Sequence, residues 1–323
     1  NQVLEHVSPK IAPFFIAKKT SIQRGKTRTL KSCLGKLKIT KKQADALGIE
    51  PYTRHSPLLE KCCLLLSANE SYQNAAQDLY FLTGLKVGHS THHWPLATLR
   101  ERKVNKIDLP LPDLKQGLSE VSVDGGKVRL RTEKKGEASY WQEYKTACLQ
   151  GIYYGAFFQD NLSLTDWINS QKLTNPFYCL GDGHDGLWNL IAEIGQKRHR
   201  IEILDWYHLI ENLHKIETNK SIKEQLEAYL WMGEIDDAIK LLNDHRPVGG
   251  TKFIRYLKKH RKRLINYHYF KVQEICSIGS GAVESAVKQI GHRIKLTGAQ
   301  WKKENVANIL QLRCAYLNGK LAI

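Results

Sequence analysis

The sequence predicts an α/β fold whose core is interrupted by an all-α insertion and preceded by a mainly helical N-terminal region. Three observations predict it. Between Glu120 and Leu204, β-like stretches first come as a group and then alternate with helical ones. From about residue 207 to 275, apolar residues recur at helical spacing without a β-like run. Ahead of the proline-punctuated stretch Asp108–Asp113, the most readable segments are helical.

Composition bounds the partners more than the fold. The chain has 323 residues, enough for two or three domains. Its 49 Lys+Arg against 32 Asp+Glu give a net charge of +17, which points to nucleic acid or another anionic surface. No apolar run approaches the roughly 20 residues that span a membrane, and no secretory leader is expected at the start. The 7 cysteines are scattered, with Cys62 and Cys63 adjacent and no CxxC pair. That pattern argues against a disulfide framework and a thiolate zinc site, and it favours a reducing compartment.

Residues 1–55 read as a basic N-terminal extension, with Lys18 to Lys42 densely charged and short β-like pieces such as Gly35–Ile39. Such a stretch either tracks DNA phosphates or is a solvated arm. Residues 56–113 read as a helical DNA-binding region. Leu58–Leu66 is an apolar helix, and Ser71 to Gly84 is a capped helix that stops at glycine. A second helix opened by Ser90 or Thr91 would complete a helix-turn-helix. Pro95 counts against that helix, and a small helical packing unit is the other reading.

Residues 114–206 read as the first part of the α/β core. Glu120–Asp124 alternates as a strand, Gly125-Gly126 marks a hairpin turn, and Lys127–Arg131 returns. Tyr144–Tyr154 is a third strand and Leu164–Lys172 a helix. Phe177–Leu180 is a buried strand ending in Gly181-Asp182-Gly183. A helix at Leu187–Ile194 and a strand at Arg200–Leu204 follow, the latter running into Asp205-Trp-Tyr-His208. Three antiparallel strands, helix, strand, helix, strand is the ribonuclease H-like order. Residues 207–275 form the helical insertion, dense in charge from Lys252 to Arg263. Residues 276–323 supply the last core helices. In the first, Ser280 is an N-cap and Val283, Val287, Ile290 and Ile294 form an apolar stripe. Glu284, Lys288, Gly291 and Lys295 share a different face. The second runs from Glu304 to Leu317 and closes at Asn318-Gly319.

Three acids then stand at meaningful places: Asp124 at the end of the first strand, Asp182 just past the fourth, and Glu284 on the helix after the insertion. In a ribonuclease H-like sheet the first and fourth strands are neighbours, so both aspartates project from one edge. Two unit charges 4 Å apart repel by roughly 4 kcal/mol at an effective dielectric near 20. Divalent metal offsets that, and an all-oxygen set suits Mg²⁺ or Mn²⁺. Two such ions can activate a nucleophile and stabilise the leaving oxygen of a phosphodiester displacement. Each acid taken singly has an ordinary alternative: a turn residue for Asp124 and Asp182, an i,i+4 pair with Lys288 for Glu284. Asp185 competes with Asp182 for the second position. Lys288, Lys295, Arg293, Lys127 and Arg129 are the candidate DNA contacts, and Gly291 is a place where a DNA backbone can approach closely. Trp206 and Trp301 read as core, with base stacking as the alternative.

Several of these stretches resemble bacterial insertion-sequence transposases of the ISKra type: Val123–Arg129, Leu180–Gly183, Leu204–Leu213 and Gly279–Trp301. The similarity covers most of residues 56–323 and is weak before that. It implies a DDE transposase with catalytic, metal-binding Asp124, Asp182 and Glu284, and Mg²⁺ or Mn²⁺, as two ions, for cofactor. Asp205-Trp-Tyr-His208 resembles the C/D-x-x-H feature of Mutator and hAT transposases, which implies a supporting role for Asp205 and His208. An Asp–His contact that orders a strand end is the other reading. The resemblance also implies DNA element ends and target DNA as partners, a homodimer or larger assembly on DNA, and the bacterial cytoplasm at the nucleoid. The expected function is metal-dependent cleavage at element ends and strand transfer. The alternatives are a ribonuclease H-like nuclease or resolvase without joining activity, and a catalytically inactive DNA-binding protein.

Overall fold

The computed structural model describes residues 2–22, 24–88, 117–132, 134 and 136–321, with side chains from residue 10 onward. Their contacts sort into two compact units. One takes the described residues 117–291 and 300–310; the other takes those up to 88 together with 292–299 and 311–321.

The larger unit is built on a five-stranded mixed sheet. Numbering strands along the whole chain, β3 (Leu118–Leu130), β4 (Tyr140–Leu149) and β5 (Tyr153–Phe158) are antiparallel neighbours, while β6 (Leu173–Gly181) and β7 (Arg200–Leu204) run parallel to β3. The spatial order is β5-β4-β3-β6-β7. Helices at Asn161–Asn169 (α5) and Asp185–Ala192 (α6) make the two crossovers.

The expected hairpin at Gly125-Gly126 is not there. β3 runs straight through, with Gly125 opposite Lys145 and Gly126 opposite Tyr144. Glycine is needed at 126 for a cross-strand reason: a Cβ there would sit 2.2 Å from Cζ of the buried Tyr144 ring. Asp124 therefore lies in mid-strand and not at a strand end. The real hairpin comes later, where Gln150 (φ 52°) and Gly151 (φ 71°) turn β4 into β5. The single strand expected over 144–154 is thus two strands.

After β7 the chain is helical: α7 (Trp206–His214), α8 (Lys220–Met232), α9 (Ile235–His245), α10 (Gly250–His260), a 3₁₀ turn at Arg261–Arg263, and α11 (Tyr267–Val272). This insertion is not a separate core. Ile222, Leu226, Leu230, Leu242, Phe253 and Leu257 belong to the same buried cluster as the sheet residues Val121, Phe177 and Ile203. Trp206 packs against Trp231 and Tyr267 with ring centroids 4.8 and 4.9 Å away, and the Tyr267 hydroxyl donates to the Leu204 carbonyl at 2.8 Å. Trp206 and Trp301 are both buried, so core packing is the reading that stands for each.

Two helices close the chain, α12 (Gly281–Ile294) and α13 (Lys303–Leu317). Val283, Ala286, Ile290 and Ile294 form the buried stripe of α12, with Val287 only half-buried. Each helix contributes to both units, so residues 276–323 do not form the single block expected of them.

The smaller unit opens with α1 (Gln2–Thr20), followed by a hairpin of β1 (Thr27–Ser32) and β2 (Gly35–Thr40) and a short helix α2 (Lys41–Ala46). The basic extension therefore contains ordered structure with its own core of Leu30, Ile39 and Ala44. Thr40 and Gln43 form a reciprocal capping box at the start of α2. Helices α3 (Pro57–Ser67) and α4 (Tyr72–Thr83) match the first helices expected, capped by Ser56 and Ser71, and α4 ends at Gly84 with φ 76°. The Ser90/Thr91 helix, its Pro95 and the Asp108–Asp113 linker lie outside the described residues.

Candidate functional site

The site is assembled where the carboxyl ends of β6 and β7, the middle of β3 and the start of α12 converge. Asp124 is the seventh residue of the 13-residue β3, and its Oδ1 accepts from the Gly125 N–H at 2.6 Å. Asp182 follows the last residue of β6. Its Oδ1 accepts from the His184 N–H at 2.8 Å, holding the turn into α6. Gly183 between them has φ 96°, and a Cβ there would lie 2.9 Å from the Tyr256 hydroxyl, so both conformation and space require glycine. Glu284 sits in the first turn of α12, its N–H donating to the Ser280 carbonyl at 3.0 Å.

These three acids line one cavity of about 450 Å³, together with His208, Glu211 and Tyr207. Burial raises the Asp124 pKa; the Gly125 N–H opposes that, the charges of Asp182 and Glu284 add to it, and His208 opposes it. Four acidic residues thus line the cavity, with His208 as the cationic side chain of its wall.

Asp205 and His208 sit beside them but do something different. Asp205 is fully buried and caps α7, accepting from the His208 N–H at 2.8 Å. Its other oxygen accepts from both the N–H and the hydroxyl of Ser280. Burial alone would raise its pKa, but the contacts from His208 and Ser280 outweigh that and hold it at about 2. His208 moves the opposite way, up to about 9, first through the Asp205 carboxylate beside its ring. Nδ1 is 3.5 Å from Oδ1, too long for a good hydrogen bond and found without one, so the contact is an ion pair. The imidazole is therefore an imidazolium at neutral pH.

Asp205, His208 and Glu284 also offer three ligand atoms within 4.8 Å of one another and could hold a metal ion. The two Asp205 oxygens already take three donors, which makes Asp205 the least available of the three.

The expected DNA contacts divide. Lys127, Lys288 and Lys295 are exposed. Arg129 is half-buried, with Nε donating to Ser139 Oγ at 2.6 Å. Arg293 requires correction: it is 2% exposed, and its Nε donates to the Ser67 carbonyl at 2.7 Å. With Arg313, which reaches the Ala68 carbonyl at 3.2 Å, it satisfies the carboxyl end of α3. Gly291 is buried as well and offers no approach to a DNA backbone. Asp185 is outside the cavity; its carboxylate pairs with Lys259 Nζ at 2.5 Å.

Glu211 and Tyr207 are cavity residues that the sequence reading missed. Glu211 lies three residues beyond His208 on α7, a spacing that puts both on one helical face, and that was the available signal.

No known protein family's sequence profile matches this chain. No curated protein matches it either. Among the described residues, no helix is long and apolar enough to cross a membrane.

Proposed function

We propose that the protein is a metal-dependent DNA transposase that cleaves at the ends of an insertion sequence and joins them to target DNA. One observation carries this reading: Asp124, Asp182 and Glu284, far apart in sequence, line one cavity together with Glu211. In the core's own order, the sheet runs third, second, first, fourth, fifth strand, with the first three antiparallel and the last two parallel to the first. That supports a ribonuclease H-like core, with residues 206–279 as its helical insertion.

The donor set fits a hard divalent cation. The acids are oxygen ligands, burial and then the charges of Asp182 and Glu284 raise Asp124, and the wall supplies a single cation against four acidic residues. Asp124, Asp182 and Glu284 would hold Mg²⁺ or Mn²⁺, two ions in this reading; the metal supplies activation of the attacking oxygen and stabilisation of the leaving one. Asp205 fixes the start of α12 through Ser280 and thereby sets where Glu284 stands. His208, held cationic by Asp205, offers positive charge toward a phosphate oxygen at the cavity wall. Lys127, Lys288 and Lys295 would meet backbone phosphates outside it.

The test uses DNA carrying the sequences that flank the gene, incubated with the protein and Mg²⁺ or Mn²⁺. Nicks at the element ends and joined products are expected. Asp124→Asn, Asp182→Asn and Glu284→Gln should each lower both by at least about 10³-fold while end binding persists. Full strand transfer by any of the three would remove that residue from the site. Cutting without joining of pre-cut ends would indicate a nuclease or resolvase.

A further inference from the structure

A second cavity, of about 680 Å³, adjoins the carboxylate site, and Tyr207 lines both. Tyr207 is 62% exposed although it sits in the first turn of a helix at the heart of the fold. Its ring lies on Gly279: a Cβ at that glycine would be 2.5 Å from Tyr207 Cδ2. One side of the ring is therefore supported by bare backbone, and the residue remains largely open to solvent.

The rest of the second cavity has the wrong charge for a phosphate. Glu120 and Glu274 line it, and its one lining cation, Lys271, has Nζ 5.5 Å from the Trp231 ring centroid. It has instead the groups that read a neutral polar edge. Glu120 is 7% exposed and held in place by the Ser277 N–H, 2.8 Å from Oε2. The N–H of Gln150 donates to the Glu120 carbonyl at 2.9 Å, so the two residues are neighbours across the turn. The amide oxygen of Gln150 takes both the N–H and the hydroxyl of Ser119, at 3.0 and 3.2 Å, which leaves its NH₂ end as the group to donate to a ligand. A carboxylate acceptor beside an amide donor complements a heterocycle that presents a donor and an acceptor on one edge, as nucleobases do.

We propose that this second cavity receives an unstacked nucleobase of the DNA substrate, with Tyr207 as its stacking surface and Glu120 and Gln150 as the acceptor and donor that meet its edge. The proposal rests on the reading of the neighbouring carboxylate cavity as a phosphodiester site. The dividing position of Tyr207 gives the pairing its logic: a phosphate on the carboxylate side and its adjoining base on the other lie one nucleotide apart. Base stacking on an aromatic side chain tolerates any base, while the Glu120–Gln150 pair adds preference among them.

The experiment measures binding of the full chain, in EDTA, to a single-stranded DNA of about ten nucleotides and to an abasic strand of the same length. Tyr207→Ala should weaken binding of the base-containing strand about tenfold and leave the abasic strand unchanged; Tyr207→Phe should bind both as the wild type does. Because Tyr207 is exposed, the variants should melt at the wild-type temperature, which separates lost stacking from lost folding. Equal affinity of Tyr207→Ala and wild type for the base-containing strand would overturn the proposal, as would equal loss on both strands. Nicking in Mg²⁺, measured in parallel, keeps the two readings apart. Tyr207-dependent binding without nicking upholds the base site and rejects the transposase; nicking with Tyr207-independent binding does the reverse.

Discussion

Two aspartates beside the same cavity, Asp205 buried and Asp124 half-buried, have been given opposite surroundings. Asp205, at the β7–α7 junction, takes three hydrogen bonds and faces an imidazolium, and its pKa falls to about 2. Asp124, in mid-β3, accepts from the neighbouring Gly125 N–H and is pushed up by burial and by two other acids. The difference separates a carboxylate that the fold uses from one that it keeps available. A carboxylate that already takes three donors has little acceptor capacity left, whereas one that takes a single donor keeps most of its own open.

The contrast is broken most directly by removing the saturated member. Asp205→Ala leaves the Ser280 N–H and hydroxyl, the His208 N–H and the imidazolium without their acceptor in a buried place. Urea denaturation should show a loss of about 3–5 kcal/mol. A loss below about 1 kcal/mol would mean that Asp205 is not structural.

The next effect is in pH. The folded pKa of Asp205 lies below the ordinary 3.8, so its contribution is full above about pH 4 and is lost as pH falls toward 2. The amount is about 2 kcal/mol. Asp124 has the opposite sign: its raised pKa means that ionisation costs stability, and the cost is relieved as pH falls through a value above 3.8. Denaturation of wild type and Asp124→Asn at pH 7, 5 and 3 should show the variant's advantage shrinking on acidification. An advantage that grows would reverse the assignment.

The smallest effect sharpens the comparison. Asp124→Asn keeps an oxygen for the Gly125 N–H and removes a half-buried like charge, so stability at pH 7 should rise by up to about 1 kcal/mol. Millimolar Mg²⁺ should raise the melting temperature of the wild type by a few degrees and that of Asp124→Asn by less.

The same local-versus-distant distinction explains what the sequence made legible. Asp124 and Asp182 are legible as acids expected at strand ends, of which only Asp182 stands at one, and Glu284 is legible from its face of α12 together with the resemblance. The helical insertion was legible from its periodicity. The hairpin error has one cause: Gly-Gly between alternating stretches is the local signature of a turn, whereas the reason for Gly126 is Tyr144 on another strand. Splitting one strand and fusing two others cancelled, so the strand count survived a wrong register. Arg293 is expected to contact DNA, yet its partner Ser67 lies 226 residues away in the sequence. Of the β1–β2 hairpin the Gly35–Ile39 piece is legible as β-like, but its pairing with β1 is not, because lysine and arginine alternate with the few apolar residues.

The clasp between Asp205 and Ser280 joins positions 75 residues apart, and the Trp206 N–H donates to the Ile278 carbonyl at 2.9 Å beside it. Seen from this clasp, everything from 206 to 279 is one closed loop, entered and left at a single point. Closing such a loop costs only about 0.6 kcal/mol more for each doubling of its length. Residues added or removed at turns inside the loop leave the point of closure alone. Descent with insertions and deletions can therefore reshape the loop's far side generation after generation while Glu284 keeps its address.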